Sequence, residues 1–145
     1  SGRGYQQMIG YVTVGADDIQ RAEGFYSSFL PSLGFILEVS PEGLSYSIPA
    51  SDGQQNGHID LYVKPPYDGQ AASAGNGTML AFRAATQAQV RELHSAALAA
   101  GGRSEGEPGF RAAYSAHFFV GYLRDPQGNK LALYCDDPDE PVRPD

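Results

Sequence analysis

One arrangement occurs twice in this chain: a strand, a helix, then three more strands. The first copy starts at Met8, where Ile9 to Val14 is a short β-rich run. Asp17 and Asp18 offer oxygens that can cap a helix. Ile19, Ala22, Phe25, Tyr26, Phe29 and Leu30 then recur at helical spacing with one apolar stripe. Pro31 ends the helix and Gly34 helps turn the chain. Phe35 to Val39 and Leu44 to Ile48 read as strands, the polar stretch from Ser51 as a loop, and His58 to Val63 as a further strand.

The second copy opens with the strand Thr78 to Phe82. Thr86 can cap a helix, with Gln89 completing a capping box. Val90, Leu93, His94, Ala97 and Leu98 form its buried stripe, and Gly101 and Gly102 close it. A strand is expected near Arg111 to Tyr114, with Gly106 to Gly109 as loop. His117 to Leu123 is the next strand, Asp125-Pro126-Gln127-Gly128-Asn129 a turn, and Lys130 to Cys135 the last strand.

The copies align at a nearly constant offset: Tyr11 matches Met79, Tyr26 matches His94, Leu30 matches Leu98 and Gly34 matches Gly102. At the far end His58 to Val63 aligns with Lys130 to Cys135. The reading is an α+β chain of two βαβββ modules, 8–64 and 78–135, joined by a linker at 65–77 rich in Pro, Gly, Ala and Ser. Neither half has enough core alone, so 8–135 is one domain. Met8 reads as the native first residue, and residues 1–7 as a leftover of expression outside the fold. The acidic, proline-broken tail 136–145 is expected to be loose at the surface.

The formal charge of −7 disfavours phosphate backbones, so nucleic acid is not an expected partner, whereas a cationic small molecule would be attracted. No apolar run is long enough to span a membrane as a helix. A single cysteine, Cys135, permits no intrachain disulfide, and a cytoplasmic location is expected.

Ile9-Gly10-Tyr11-Val12-Thr13-Val14 with Asp18-Ile19-Gln20-Arg21-Ala22 and Phe25-Tyr26 carries a family likeness. So does Gly77-Thr78-Met79-Leu80-Ala81-Phe82 through Ala100-Gly101-Gly102 to Asp125-Pro126-Gln127-Gly128-Asn129. From Met8 to about Cys135 the chain resembles the vicinal oxygen chelate superfamily of glyoxalase I, extradiol dioxygenases and bleomycin-binding proteins. The resemblance implies paired modules whose curled sheets form a cleft, with the helices outside. It also implies a metal held from the first and last strand of each module. Carried over, those positions are Tyr11, Asp60, Met79 and Ala132, of which only Asp60 suits a hard divalent ion. No metal or other cofactor is therefore expected, with His58, Asp60 and His117 as the candidates for a displaced site.

Strand alternation places Tyr11 and Thr13 on the cleft side, along with Ala132 and Tyr134, and turns Cys135 to the helices. The expected cleft residues are Tyr11, Asp60, Tyr62, Met79, Tyr114, His117, Phe119, Ala132 and Tyr134, with Tyr46 a further candidate. His94 is expected in the core, and Arg83 as a rim charge. Nine tyrosines and seven phenylalanines without tryptophan suit an aromatic or cationic ligand. The expected function is a metal-free small-molecule-binding protein that works as a homodimer. The alternatives are a metal-dependent lyase or dioxygenase with displaced ligands, and a non-catalytic dimerisation or regulatory module.

Overall fold

The computed structural model describes residues 8–50 and 58–145. The loop expected from Ser51 and the seven residues before Met8 lie outside that set. Each copy folds into a four-stranded sheet and a helix. The first holds β1 (Tyr11–Gly15), α1 (Ile19–Tyr26), β2 (Ile36–Ser40), β3 (Gly43–Ser47) and β4 (Asp60–Lys64). The second holds β5 (Met79–Arg83), α2 (Gln87–Ala99), β6 (Arg103–Phe110), β7 (Phe119–Arg124) and β8 (Lys130–Cys135). The sheet orders are β1-β4-β3-β2 and β5-β8-β7-β6. In each, the first strand runs parallel to the last, and the other pairs are antiparallel. A parallel pair needs a long crossover, and the helix begins it. The class is α+β, as the repeat predicts.

Both helices start at the capping residues read from the sequence. Asp18 accepts the Arg21 N–H at 3.0 Å. Thr86 accepts the Gln89 N–H at 3.0 Å, and the Gln89 side chain returns to the Ala85 N–H at 2.8 Å. The regular part of α1 stops at Tyr26, short of Pro31, and a 3-10 turn follows at Pro31–Leu33. The apolar stripe continues regardless: Phe25, Tyr26, Phe29 and Leu30 are all fully buried. The core is continuous across the two copies, because Phe29 and Phe35 set their rings against Phe82 at 5.8 and 6.1 Å between centroids.

The expectation for the second copy's middle strand is reversed. The strand is Arg103–Phe110, including the glycines read as loop, and Arg111 to Tyr114 is a turn. Bulges between Ser104 and Gly106 and between Gly106 and Gly109 absorb residues that a regular ladder would reject. β6 is an edge strand, where Pro108 costs no ladder bond.

The turn at Asp125 to Asn129 joins the copies. One Asp125 oxygen accepts the N–H groups of Gln127 and Asn129 at 2.9 and 2.8 Å. The other accepts the Tyr26 hydroxyl at 2.5 Å and the Asn129 amide at 2.9 Å. Gly128 takes the positive φ of 101° that this closure needs. From the turn, Asn129 donates to the Gly15 carbonyl at 3.0 Å, and Gln127 accepts the Asp17 N–H at 2.9 Å.

The tail is not loose. Glu140 accepts the Gln87 N–H at 2.6 Å, in the first turn of α2. The Arg143 guanidinium donates to the carbonyls of Arg111, Ala112 and Tyr114 at 3.1, 3.4 and 2.8 Å. No helix among the described residues is long and apolar enough to cross a membrane.

Candidate functional site

Each sheet has one face on the core and one turned away from it. Val14 is buried while Tyr11 is 65% exposed, so Tyr11 and Thr13 lie on the open face of the first sheet. Register carries that face across the sheet. Thr13 pairs with Tyr62 and Tyr62 with Ser45; in the second sheet Ala81 pairs with Ala132 and Ala132 with Tyr122.

The same register corrects the match between the copies. Tyr11 and Met79 are equivalent, as the first residues of β1 and β5, each seven positions before its helix cap. Ala132 pairs two residues on from Met79, and Tyr62 pairs two residues on from Tyr11. Tyr62, not Asp60, is therefore the counterpart of Ala132. Asp60 pairs with Tyr11 itself, and Lys130 holds the matching place beside Met79. The four related positions carry two phenols, a thioether and a methyl group, with an ammonium beside the thioether. That set does not fit a divalent metal, which wants several imidazole, carboxylate or thiolate donors. The displaced triad is not assembled either. His58 and Asp60 line one groove, His117 is not among its lining residues, and the described residues hold no group of three His, Cys, Asp or Glu side chains able to share a metal.

Two shallow basins open on these faces. The first, about 380 Å³, is lined by Tyr11, Thr13, Ser45, Tyr62 and Lys64 among others. Tyr11 meets Tyr62 edge to face, with centroids 5.4 Å apart. The second, about 560 Å³, includes Met79, Arg111, Tyr114, Tyr122 and Lys130. The Arg111 and Lys130 cations lie 5.5 and 5.3 Å from the Tyr122 ring centroid. Burial, then the hydrogen bond with Tyr114, push the Tyr122 pKa up. Beside this basin, Tyr134 stacks on Phe118 at 5.3 Å, and Arg83 sits over its ring while pairing with Asp136 at 3.2 Å.

Two expected cleft residues fall on the other face. Phe119 pairs with Cys135 on the helix side, is 1% exposed and meets Phe110 at 5.2 Å. Tyr46 pairs with Leu61, is fully buried beside Tyr26, and shares a 2.9 Å hydrogen bond with Ser27. Ala132 keeps its face, but at 1% exposure it is floor rather than contact surface. His117 precedes β7, partly buried, with no hydrogen-bond partner for Nδ1. His94 is a core residue whose Nε2 meets the Tyr122 carbonyl at 3.0 Å. Cys135 is buried, its thiol pKa raised first by that burial, which suits an inert thiol. Arg111, Tyr122 and Lys130 escaped the sequence reading; closing the Asp125 to Asn129 turn sets Arg124 opposite Lys130, and that register would have found Tyr122.

A further concavity, a groove of about 690 Å³, lies where the copies meet. Val12, Leu33, Phe35, Leu61, Leu80 and Phe82 give it apolar walls, and His58, Asp60, Arg83 and Gln89 stand along it. The Asp60 Oδ1 atom is buried and has no hydrogen-bond partner.

The description of the Glyoxalase/Bleomycin resistance protein/Dioxygenase superfamily matches residues 8–133. Among solved structures, a glyoxalase/bleomycin resistance protein from Albidiferax ferrireducens is 32% identical, with a TM-score of 0.77. That match covers 90% of this chain and 100% of the other. A glyoxalase-related enzyme from Fulvimarina pelagi is 21% identical, with a TM-score of 0.67 and coverage of 94% and 97%. A glyoxalase/bleomycin resistance protein/dioxygenase family enzyme from Burkholderia phytofirmans is 20% identical, with a TM-score of 0.61 and coverage of 88% and 98%. These last two share the fold. No curated protein gives a significant match.

Proposed function

As the chain belongs to the glyoxalase/bleomycin resistance protein/dioxygenase superfamily, we propose that it uses the family's open face to bind a small molecule without a metal. The observation that carries this reading is the set Tyr11, Tyr62, Met79 and Ala132 at the four related strand positions. It offers ring faces and hydroxyl tips, and too few donors for a divalent ion. Lys64, Arg111 and Lys130 line the basins. They favour a planar aromatic ligand, neutral or anionic, over a cation on these faces.

A homodimer belongs to the same proposal. The two basins are open, and among the described residues β1 and β5 each have a strand neighbour on one side only. Light scattering at tens of micromolar should give twice the chain mass. A cytoplasmic location is also part of the reading, supported by the one unpaired, buried cysteine.

The test combines elemental analysis, after loading with zinc, manganese, nickel and iron, with thermal-shift screening of aromatic compounds. Less than a tenth of a metal per chain after dialysis is expected, on the donor count. Hits should weaken in Tyr62→Ala or Tyr122→Ala. One tightly held metal per chain would overturn the reading.

A further inference from the structure

We propose that the groove between the two copies is a second ligand site, for a small molecule with an apolar body and one protonated amine anchored by Asp60. The groove shares no lining residue with either open-face basin, so this site does not rest on the function proposed above.

The Asp60 carboxylate belongs to a residue that lines the groove. Its Oδ1 is buried and accepts no hydrogen bond. A buried acceptor of this kind is costly unless a donor reaches it, and a carboxylate more so than a carbonyl. Two polar neighbours in the groove, Arg83 and Gln89, are committed elsewhere. Arg83 pairs with Asp136 at 3.2 Å and covers the Tyr134 ring. Gln89 donates to the Ser32 carbonyl at 3.2 Å and accepts from the Ala85 N–H at 2.8 Å. No described residue donates to Asp60 Oδ1. The groove also has apolar walls, Val12, Leu61, Leu80 and Phe82 among them.

An alkylammonium group meets the requirement. It brings donors and a positive charge to the carboxylate, giving a charge-assisted bond. Its hydrocarbon replaces water on the apolar walls, in a space of about 690 Å³ that falls within the usual range for small-molecule pockets. The net charge of −7 raises the local concentration of cations around the whole protein. An anion of the same shape would meet Asp60 as a like charge. A neutral isostere would keep the apolar contacts and lose the ion pair.

The experiment is isothermal titration of the full chain with 4-phenylbutylamine, 4-phenylbutanol and 4-phenylbutyrate. The amine is expected to bind at one per chain, at least tenfold more tightly than either analogue, as a charge-assisted bond implies. Asp60→Asn should bring the amine down to the level of the alcohol. Ser32→Trp, at an exposed rim position that uses only its backbone carbonyl in the fold, should block the amine while the far-ultraviolet spectrum stays unchanged. Equal binding of amine and alcohol would overturn the proposal, and so would an amine preference that survives Asp60→Asn, or amine binding unaffected by Ser32→Trp. A dimer that Ser32→Trp dissociates would place a second copy in the groove and overturn it as well.

Discussion

Replacing Tyr26 by Phe removes one oxygen from the centre of the molecule and nothing else. The side chain is fully buried, and its hydroxyl donates to Asp125 Oδ2 at 2.5 Å. Asp125 is itself only 5% exposed. It keeps three donors after the change: the N–H groups of Gln127 and Asn129, and the Asn129 amide. A hydrogen bond to a charged group contributes about 1.5–3 kcal/mol. Because Oδ2 retains one donor, the expected loss lies near the middle of that range, about 2 kcal/mol. In a domain of this size that lowers the melting temperature by about 8 °C. Urea unfolding followed by circular dichroism, with the slope unchanged, measures it directly. A loss below about 0.5 kcal/mol, the level of an ordinary surface change, would refute the reasoning. It would mean that the hydroxyl supplies nothing the carboxylate does not already have.

Three further outcomes follow from the same structure. Burial first, then Asp125, raises the Tyr26 pKa well above the ordinary phenol value, and burial likewise raises Tyr46 and Tyr122. Unfolded tyrosines release their protons near about pH 10 while these folded ones keep them, so stability should hold below that pH and fall above it. Urea midpoints from pH 8 to 11.5 should show the fall, and Tyr26→Phe should make it shallower. A methyl group at Gly102 would lie 2.6 Å from a Phe25 ring carbon and 2.9 Å from the Ala97 carbonyl. Gly102→Ala should therefore cost about 1–3 kcal/mol in a denaturant titration. Arg143→Ala frees three carbonyls between Arg111 and Tyr114. It should cost about 1–2 kcal/mol and speed amide exchange in that turn before elsewhere.

The repeat, both helix caps and the order of elements were legible because they rest on local chemistry: an aspartate or threonine before an apolar stripe, a proline or glycine after it. The errors were of pairing. β6 contains Gly106, Pro108 and Gly109, residues that signal loop in isolation, and only a neighbour such as β7 can hold them in a bulged edge strand. Alternation counted from His117, before the strand begins, puts Phe119 on the wrong face. Counting back from the Asp125 to Asn129 turn puts Tyr122 opposite Ala132 and sends Phe119 to the helices. The similarity of Leu-Tyr in both strands matches Asp60 to Ala132, a two-residue slip that leaves the face unchanged. The groove along Val12 and Phe82 was invisible, since its walls come from segments that meet only in the folded chain. The hold of Arg143 on the Arg111 turn was invisible for the same reason.

The turn at Asp125 to Asn129 grips the first copy at three points: Asn129 on the end of β1, Gln127 just before α1, and Asp125 on Tyr26 near its close. Melting either copy alone would strand those partners, the buried Tyr26 hydroxyl among them, while also splitting the Phe29 and Phe35 contacts with Phe82. A chain assembled from two similar halves should for that reason lose both in one step. Its calorimetric enthalpy should equal its van't Hoff enthalpy, and no half-melted species should accumulate. The doubling written in the sequence would leave no trace in the melting curve.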